Sequence, residues 1–296
     1  MSKKTIVMFS WILALTISCD FAATFTYHQA LETFYKKAKP SMPAAESDGR
    51  TPTLNQKGAI SPTLDYGTLS FLEFGKNKRI LEVGGAYGNV MLEALHQSGS
   101  TIYHLNDLDE RHLGIAAFRL QEKIDQRKIC MAGLGNVQFI YGDITQSSWK
   151  VKEPYDAILM ANVMRFLTPN QIDQAFSNLF TSLKSGGRIF IIAMTPYVNR
   201  YKSFIPEYHQ RIKDGAPNPG FVKNIRHYAN NDGKIQNQIN NITDGHFMFL
   251  DDITLSNLAK SAGFKVLECT FKPLSYKSES WELDGRETVV LIAEKP

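Results

Sequence analysis

The chain has 296 residues, 43% of them hydrophobic, and a formal charge of +4, enough for one large α/β domain with an appended segment. Lys3 and Lys4 supply half of that charge and no run of Lys or Arg follows, so no nucleic-acid partner is expected. The three cysteines, Cys19, Cys130 and Cys269, have neither CxxC nor Cys/His spacing. They give no disulfide framework and no metal site, and Cys130 and Cys269 read as two buried thiols.

Residues 1–4 are a short basic start and residues 5–18 an uncharged, apolar run of fourteen. This is the tripartite pattern of a secretory signal and is short for a membrane span. Ser18-Cys19 is similar to a lipoprotein cleavage site, with Thr16 where that pattern prefers leucine. Residues 1–19 are therefore expected to be a leader that exports or anchors the protein, and any membrane contact is expected through it alone. The alternative is a buried N-terminal helix in a cytoplasmic protein. Residues 24–75 are expected to be an N-terminal cover and linker. Within them, 25–39 have helical spacing, 40–62 are polar with prolines, and a helix begins near Ser61. Tyr66 on that helix either reaches toward a ligand or packs.

Residues 79–83 then form a short apolar strand carrying Glu82, and Gly84-Gly85-Ala86-Tyr87-Gly88 follows before a helical stretch over 90–95. Glycine suits a turn that presses its backbone against a ligand. The nicotinamide fingerprint needs glycine at the first, third and sixth positions, and here those are Gly84, Ala86 and Asn89, so that match fails. A second strand over 101–107 ends in Asp107, about 20 residues past the glycines, where a doubly wound sheet places an acid for ribose hydroxyls. A third strand ends in Gly142-Asp143 and a fourth, over 155–162, is buried by composition. Thr168-Pro169-Asn170-Gln171 is a capping box with proline at the first helical position. Ile172, Ala175, Phe176, Leu179, Phe180 and Leu183 continue it as one apolar stripe, which Gly186 and Gly187 are expected to end.

Residues 110–128 form another amphipathic helix, and strands alternating with helices argue for a parallel sheet. After a fifth strand near 187–192 the pattern breaks. Residues 195–250 are polar, aromatic and rich in turn residues. Asp251 or Asp252 then caps a helix ending at Gly263, and strands over 264–271 and 287–294 follow. No crossover helix fits between these last two, so they should be antiparallel.

The acid-apolar-Gly-x-small-x-Gly pattern at Glu82 to Gly88 resembles motif I of the class I S-adenosylmethionine-dependent methyltransferases. Leu183-Lys184-Ser185-Gly186-Gly187 resembles that family's turn into strand five, with Ser185 in place of proline. The resemblance spans about residues 60–296. It implies an α/β fold, a doubly wound seven-stranded sheet whose last strand is antiparallel, with a helical and irregular cover around a methyltransferase domain over 76–296. It also implies S-adenosyl-L-methionine as cofactor. Glu82, Gly84, Gly85, Ala86 and Gly88 would surround its methionine end, Asp107 its ribose, and Asp143 and Ile144 its adenine. Asn162 would lie near the amino-acid moiety or the transferred methyl.

Asn162-Val163-Met164-Arg165 departs from the Asn-Pro-Pro-aromatic signature used on base amines and glutamine amides. No acid stands at 162 for aminopropyl transfer. The implied activity is methyl transfer to an O or N atom of a small molecule by in-line displacement. His209, His227 and His246 are the candidates for a general base, should the acceptor need one. Residues 195–250 would be the acceptor-side lid, and their excess of Lys and Arg favours an anionic acceptor. The alternatives are a protein methyltransferase or a non-catalytic scaffold that retains the fold. Since the cofactor is made in the cytosol, an exported leader would have to deliver the protein where it can meet it.

Overall fold

A computed structural model describes residues 22–98, 101–229 and 245–296; the leader expected over 1–19 lies outside the described residues. Among the described residues, no helix is long and apolar enough to cross a membrane. The strands are β1 (Ala23–Thr26), β2 (Arg79–Val83), β3 (Ile102–Asp107), β4 (Val137–Tyr141), β5 (Tyr155–Ala161), β6 (Leu183–Met194), β7 (Lys265–Lys272) and β8 (Thr288–Glu294). They form one sheet in the order β1-β4-β3-β2-β5-β6-β8-β7. β2 to β6 pair in parallel, and β8 runs antiparallel to both β6 and β7. The seven expected strands are all present, with the reversed one between strands five and six. An eighth, β1, extends the far edge antiparallel to β4.

The helices between the strands are α1 (Tyr27–Ala30), α2 (Tyr66–Gly75), α3 (Asn89–Gln97), α4 (Glu110–Asp125), α5 (Pro169–Ser182), α6 (Ile205–Lys213) and α7 (Asp252–Ser261). The middles of the central strands are largely apolar because both faces are covered. In β6, Ile189 and Ile191 pack with α5 and α7, while Phe190 and Ile192 pack with α2 and residues of α3 and α4. The period of two thus divides one run between two cores. Asp65, Asp109 and Asp251 accept the first-turn amides of α2, α4 and α7. At α5 the Thr168 amide donates to Gln171 Oε1 over 2.9 Å.

Two local expectations change. Residues 25–39 do not make one helix: Phe25 lies in β1, Thr26 caps α1, and the chain continues as a π-helical turn over Leu31–Lys36. That segment packs on α4, where a Cβ on Gly114 would come within 2.7 Å of the Phe34 carbonyl oxygen. Nor do Gly186 and Gly187 end α5. They lie inside β6, where the register against β5 shifts, and the Lys295 ammonium instead accepts the task of closing α5 by donating to the Phe180 and Leu183 carbonyls at 2.8 Å.

The chain turns outward in both directions from β2 and β5, so the crevice between their carboxyl ends is the switch point where ligands bind in such sheets. Gly84, Asp107 and Asn162 all stand at that edge.

Candidate active site

The turn after β2 is built so that backbone, not side chain, faces the crevice. The amides of Gly84 and Gly85 both donate to the Asn106 carbonyl, at 2.9 and 3.0 Å. A Cβ at Gly84 would lie 2.4 Å from Val163 Cγ2, and one at Gly85 would lie 2.1 Å from Leu105 Cδ1. Ala86 is left-handed, with φ +45°, a conformation that costs a non-glycine residue about 1–2 kcal/mol. Its amide donates to Asp107 Oδ2 over 2.8 Å, and this charge-assisted bond holds the alanine where the family more often has glycine.

Asp107, at the end of β3, is buried. Besides Ala86, it accepts the Asp109 amide at 2.9 Å and the His112 Nδ1–H at 3.1 Å, both on Oδ1. A carboxylate has about four acceptor positions, so roughly one remains open to the crevice. His112 was not anticipated. It sits in the first turn of α4, five residues past Asp107, buried and edge-on to Tyr87. Its Nε2 makes no hydrogen bond among the described residues and lies 3.7 Å from Asp109 Oδ2. The signal was the N-cap at Asp109, which turns the first face of α4 back toward the strand end. Asp109 itself is occupied by the Arg111 amide and guanidinium.

Glu82 lies beneath the turn, buried, and accepts the Tyr103 hydroxyl at 2.7 Å. Burial pushes its carboxyl up to about 8; the Tyr103 bond opposes this and the Asp107 charge adds to it. At neutral pH the group is largely protonated. Asp143 closes its own turn, with Oδ1 accepting the Thr145 amide and hydroxyl at 2.8 Å and Oδ2 the Gln146 amide group at 3.1 Å. Ile144 is buried beside it. Asn162 is left-handed with φ +59°, its amide tied to the Ile192 carbonyl at 2.7 Å.

These residues border a cavity of about 390 Å³, lined by Glu82, Gly84 to Ala86, Asp107, His112, Asp143, Ile144 and Asn162. Gly88 does not line it; as the left-handed N-cap of α3 it packs against Met91 and Ala116. A second cavity of about 460 Å³ adjoins the first and shares Asn162, Arg165, Phe166 and residues 57–59 with it. Its walls come from distant segments: Glu46 and Arg50, Tyr201, Phe247, and Tyr276 with Trp281. Glu287 holds the last of these loops by accepting the amides of Leu283, Asp284 and Gly285 at 2.7–2.9 Å.

Residues 80–187 match the family described as "Methyltransferase domain". The chain has the class I methyltransferase fold, and its residues 80–187 resemble a methyltransferase domain. An uncharacterized methyltransferase of Anoxybacillus flavithermus (strain DSM 21510 / WK1) is 29% identical over 126 residues, which is 42% of this chain. The match spans 56% of that relative's length. Among solved structures, a S-adenosylmethionine-dependent methyltransferase of Methanosarcina mazei aligns at TM-score 0.51 and 15% identity, over 78% of this chain and 98% of that one. TehB of Haemophilus influenzae aligns at 0.50 and 13%, over 80% and 64%. Phosphoethanolamine N-methyltransferase 2 of Haemonchus contortus, in complex with S-adenosyl-L-methionine, aligns at 0.50 and 15%, over 77% and 52%. At such identities the likeness establishes the fold.

The three candidate histidines stand outside both linings. His209 lies 3.1 Å from the Tyr197 hydroxyl, His227 is exposed near Asn224, and His246 Nε2 lies 3.0 Å from the Phe166 carbonyl. Tyr66 does not reach the crevice: it lies exposed, its hydroxyl donating to Glu268 at 3.0 Å with Lys272 over its ring. Cys130 is exposed and Cys269 half-buried, because Cys130 falls in the open link after α4. Within 195–250, Tyr201, Phe204 and Tyr208 are buried rather than turned to the crevice. They form a core of their own with Val222, Phe247 and Phe249, and residues 230–244 of that stretch lie outside the described residues.

Proposed function

We propose that the chain transfers a methyl group from S-adenosyl-L-methionine to an O or N atom of a small molecule. The observation that carries this reading is the pair of adjoining cavities, with Asn162 and Arg165 in the wall common to both. The first has the chemistry of a nucleoside amino acid: bare backbone at Gly84 and Gly85, a buried carboxylate at Asp107 with about one acceptor position open, and the apolar Ile144 beside Asp143. One direct ribose hydroxyl bond to Asp107 is thus the proposal, with His112 and the Ala86 amide fixing the carboxylate for it. The second cavity falls in the common size range of small-ligand sites, roughly 300–1,000 Å³. The Haemonchus contortus neighbour's name, a phosphoethanolamine N-methyltransferase, also speaks for a small acceptor.

When bound, the cofactor supplies an electrophilic methyl on a sulfonium whose departure leaves a neutral thioether. The protein's share is then placement, with the nucleophile about 3 Å from the methyl carbon, and exclusion of water. Asn162 is held at the junction by its own amide bond and by the Arg165 Nε–H, which donates to its carbonyl at 3.0 Å. The cover residues Tyr201, Phe247 and Trp281 close the acceptor side with apolar surface. Since His209, His227 and His246 lie outside the linings, the proposal favours an acceptor that needs no histidine base, such as a carboxylate, a phenolate or an amine bound uncharged. Residues 195–250 remain the proposed lid. A screen of small acceptors read through formation of S-adenosylhomocysteine tests the reading; absence of turnover and of cofactor binding by the folded chain would sink it.

A further inference from the structure

We infer that the second cavity binds its ligand by a carboxylate, and that Arg165 is the anchor: the acceptor is an aromatic carboxylic acid, held with its ring among the cover's aromatic side chains. This deepens the methyl-transfer reading and rests on it. Arg165 follows the buried strand β5 in an apolar run, Val163-Met164-Arg165-Phe166-Leu167. Its Nε is used by the Asn162 carbonyl, and Nη1 has only the weak acceptor Met194 Sδ, 4.0 Å away. Among the described residues no carboxylate lies within ion-pair distance of it. Burial holds its guanidinium down to about 10; Tyr276 and Tyr201 oppose this, and the like charge of Arg50 adds to it.

Arg165 is half-buried, and taking a cation even partly out of water without a counter-charge is costly, so such groups are ordinarily paired. The other acids nearby are committed elsewhere. Asp48 and Glu46 take Arg50, at 2.7 and 3.0 Å, and Asp65 caps α2 through the Thr68 amide at 2.8 Å. An incoming carboxylate would supply the missing charge and match the planar fork of the guanidinium, which a bidentate pair exploits. Around this point Phe166, Tyr201, Phe247 and Trp281 offer ring faces and edges in the same lining. The cavity's other cations, Arg50, Lys57 and Arg200, add to the positive field, while the planar fork of Arg165 is the group that matches a carboxylate edge to edge.

The test uses the full chain saturated with S-adenosylhomocysteine and titrates benzoate, its methyl ester and phenyl phosphate, following Trp281-weighted fluorescence and calorimetric heat. Benzoate should bind at least tenfold more tightly than the uncharged ester. Arg165→Gln should erase that preference for the acid over the ester. The acid–ester comparison on the unaltered chain needs no variant, so a poorly folded Arg165→Gln does not protect the proposal. An ester that binds as well as the acid, a preference that survives Arg165→Gln, or tighter binding of phenyl phosphate than of benzoate each overturns it. If S-adenosylhomocysteine binds and none of the three probes does, the proposal fails while the cofactor reading stands. If S-adenosylhomocysteine itself does not bind, the methyl-transfer reading fails first.

Discussion

Removing the Asp107 carboxylate should damage binding and folding together, and the two losses can be separated. In Asp107→Ala the buried Ala86 amide, the Asp109 amide and His112 Nδ1 lose their acceptor. Each buried donor left without a partner costs about 1–3 kcal/mol. Against a total stability of roughly 5–15 kcal/mol, the variant should fold but unfold at visibly lower denaturant. The open acceptor position would carry one charge-assisted bond to the cofactor, worth about 1.5–3 kcal/mol. That is roughly a tenfold to hundredfold loss of affinity. Denaturant unfolding without ligand gives the first number, and calorimetry with S-adenosylhomocysteine, under conditions where circular dichroism shows the variant folded, gives the second. Asp109→Ala is the control. It removes an N-cap of α4 and an ion pair to Arg111, at about 0.5–2 kcal/mol, but Asp109 does not line the first cavity. Its effect on affinity should stay within threefold. If Asp109→Ala weakens the cofactor more than Asp107→Ala, the ribose carboxylate has been placed two residues out of register.

Glu82, with its folded value raised to about 8 by burial, binds its proton more tightly folded than unfolded. Its contribution is therefore fully present below the ordinary carboxyl range, near pH 4.5, and is lost as pH rises toward 8. The melting temperature of Glu82→Gln minus that of the unaltered chain should increase steadily from pH 5 to 8 without ligand, and a flat difference would show that Glu82 is not buried as described. Gly114→Val should destabilise the fold by about 1–3 kcal/mol through collision with the Phe34 backbone, with cofactor affinity unchanged; a neutral result would remove the 27–36 segment from α4. Deleting residues 1–19 should leave a folded, cofactor-binding chain. Deletion through residue 36 should instead expose the apolar face covered by Tyr27 and Phe34, at about 1.5–3 kcal/mol for each, and equal melting of the two truncations would count against that packing. Trypsin cleavage between Lys202 and Arg226 should slow severalfold with S-adenosylmethionine and acceptor together, and unchanged cleavage would place the cover elsewhere.

The central sheet was legible because its strands are largely apolar on both faces and their carboxyl ends change to acids and glycines. Glu82, Asp107 and the glycines mark a ligand edge in the sequence, and the structure shows that the two acids also hold the turn and the start of α4. β1 was not legible: four residues at a sheet edge pair through backbone alone, and Phe25 shares the spacing of the helix that follows. Gly186 and Gly187 were read as a helix end because a stop and an irregular strand entry both use left-handed freedom, here at Gly186. The second cavity has no local signature, since residues near 50, 165, 201, 247 and 281 meet only through the fold. A hint was present in Arg165, a lone cation inside an apolar run directly after a buried strand. The histidines drew notice as the usual proton carriers, yet the fold spends His209 on Tyr197 and His246 on a backbone carbonyl.

The most direct measurement is calorimetric titration of S-adenosyl-L-methionine, and separately of S-adenosylhomocysteine, into the purified folded chain. One saturable site per chain for both ligands, weakened at least tenfold by Asp107→Ala, is the expected result. A folded chain that takes up neither ligand would contradict the assignment of the Gly84 to Asp107 crevice as a cofactor site.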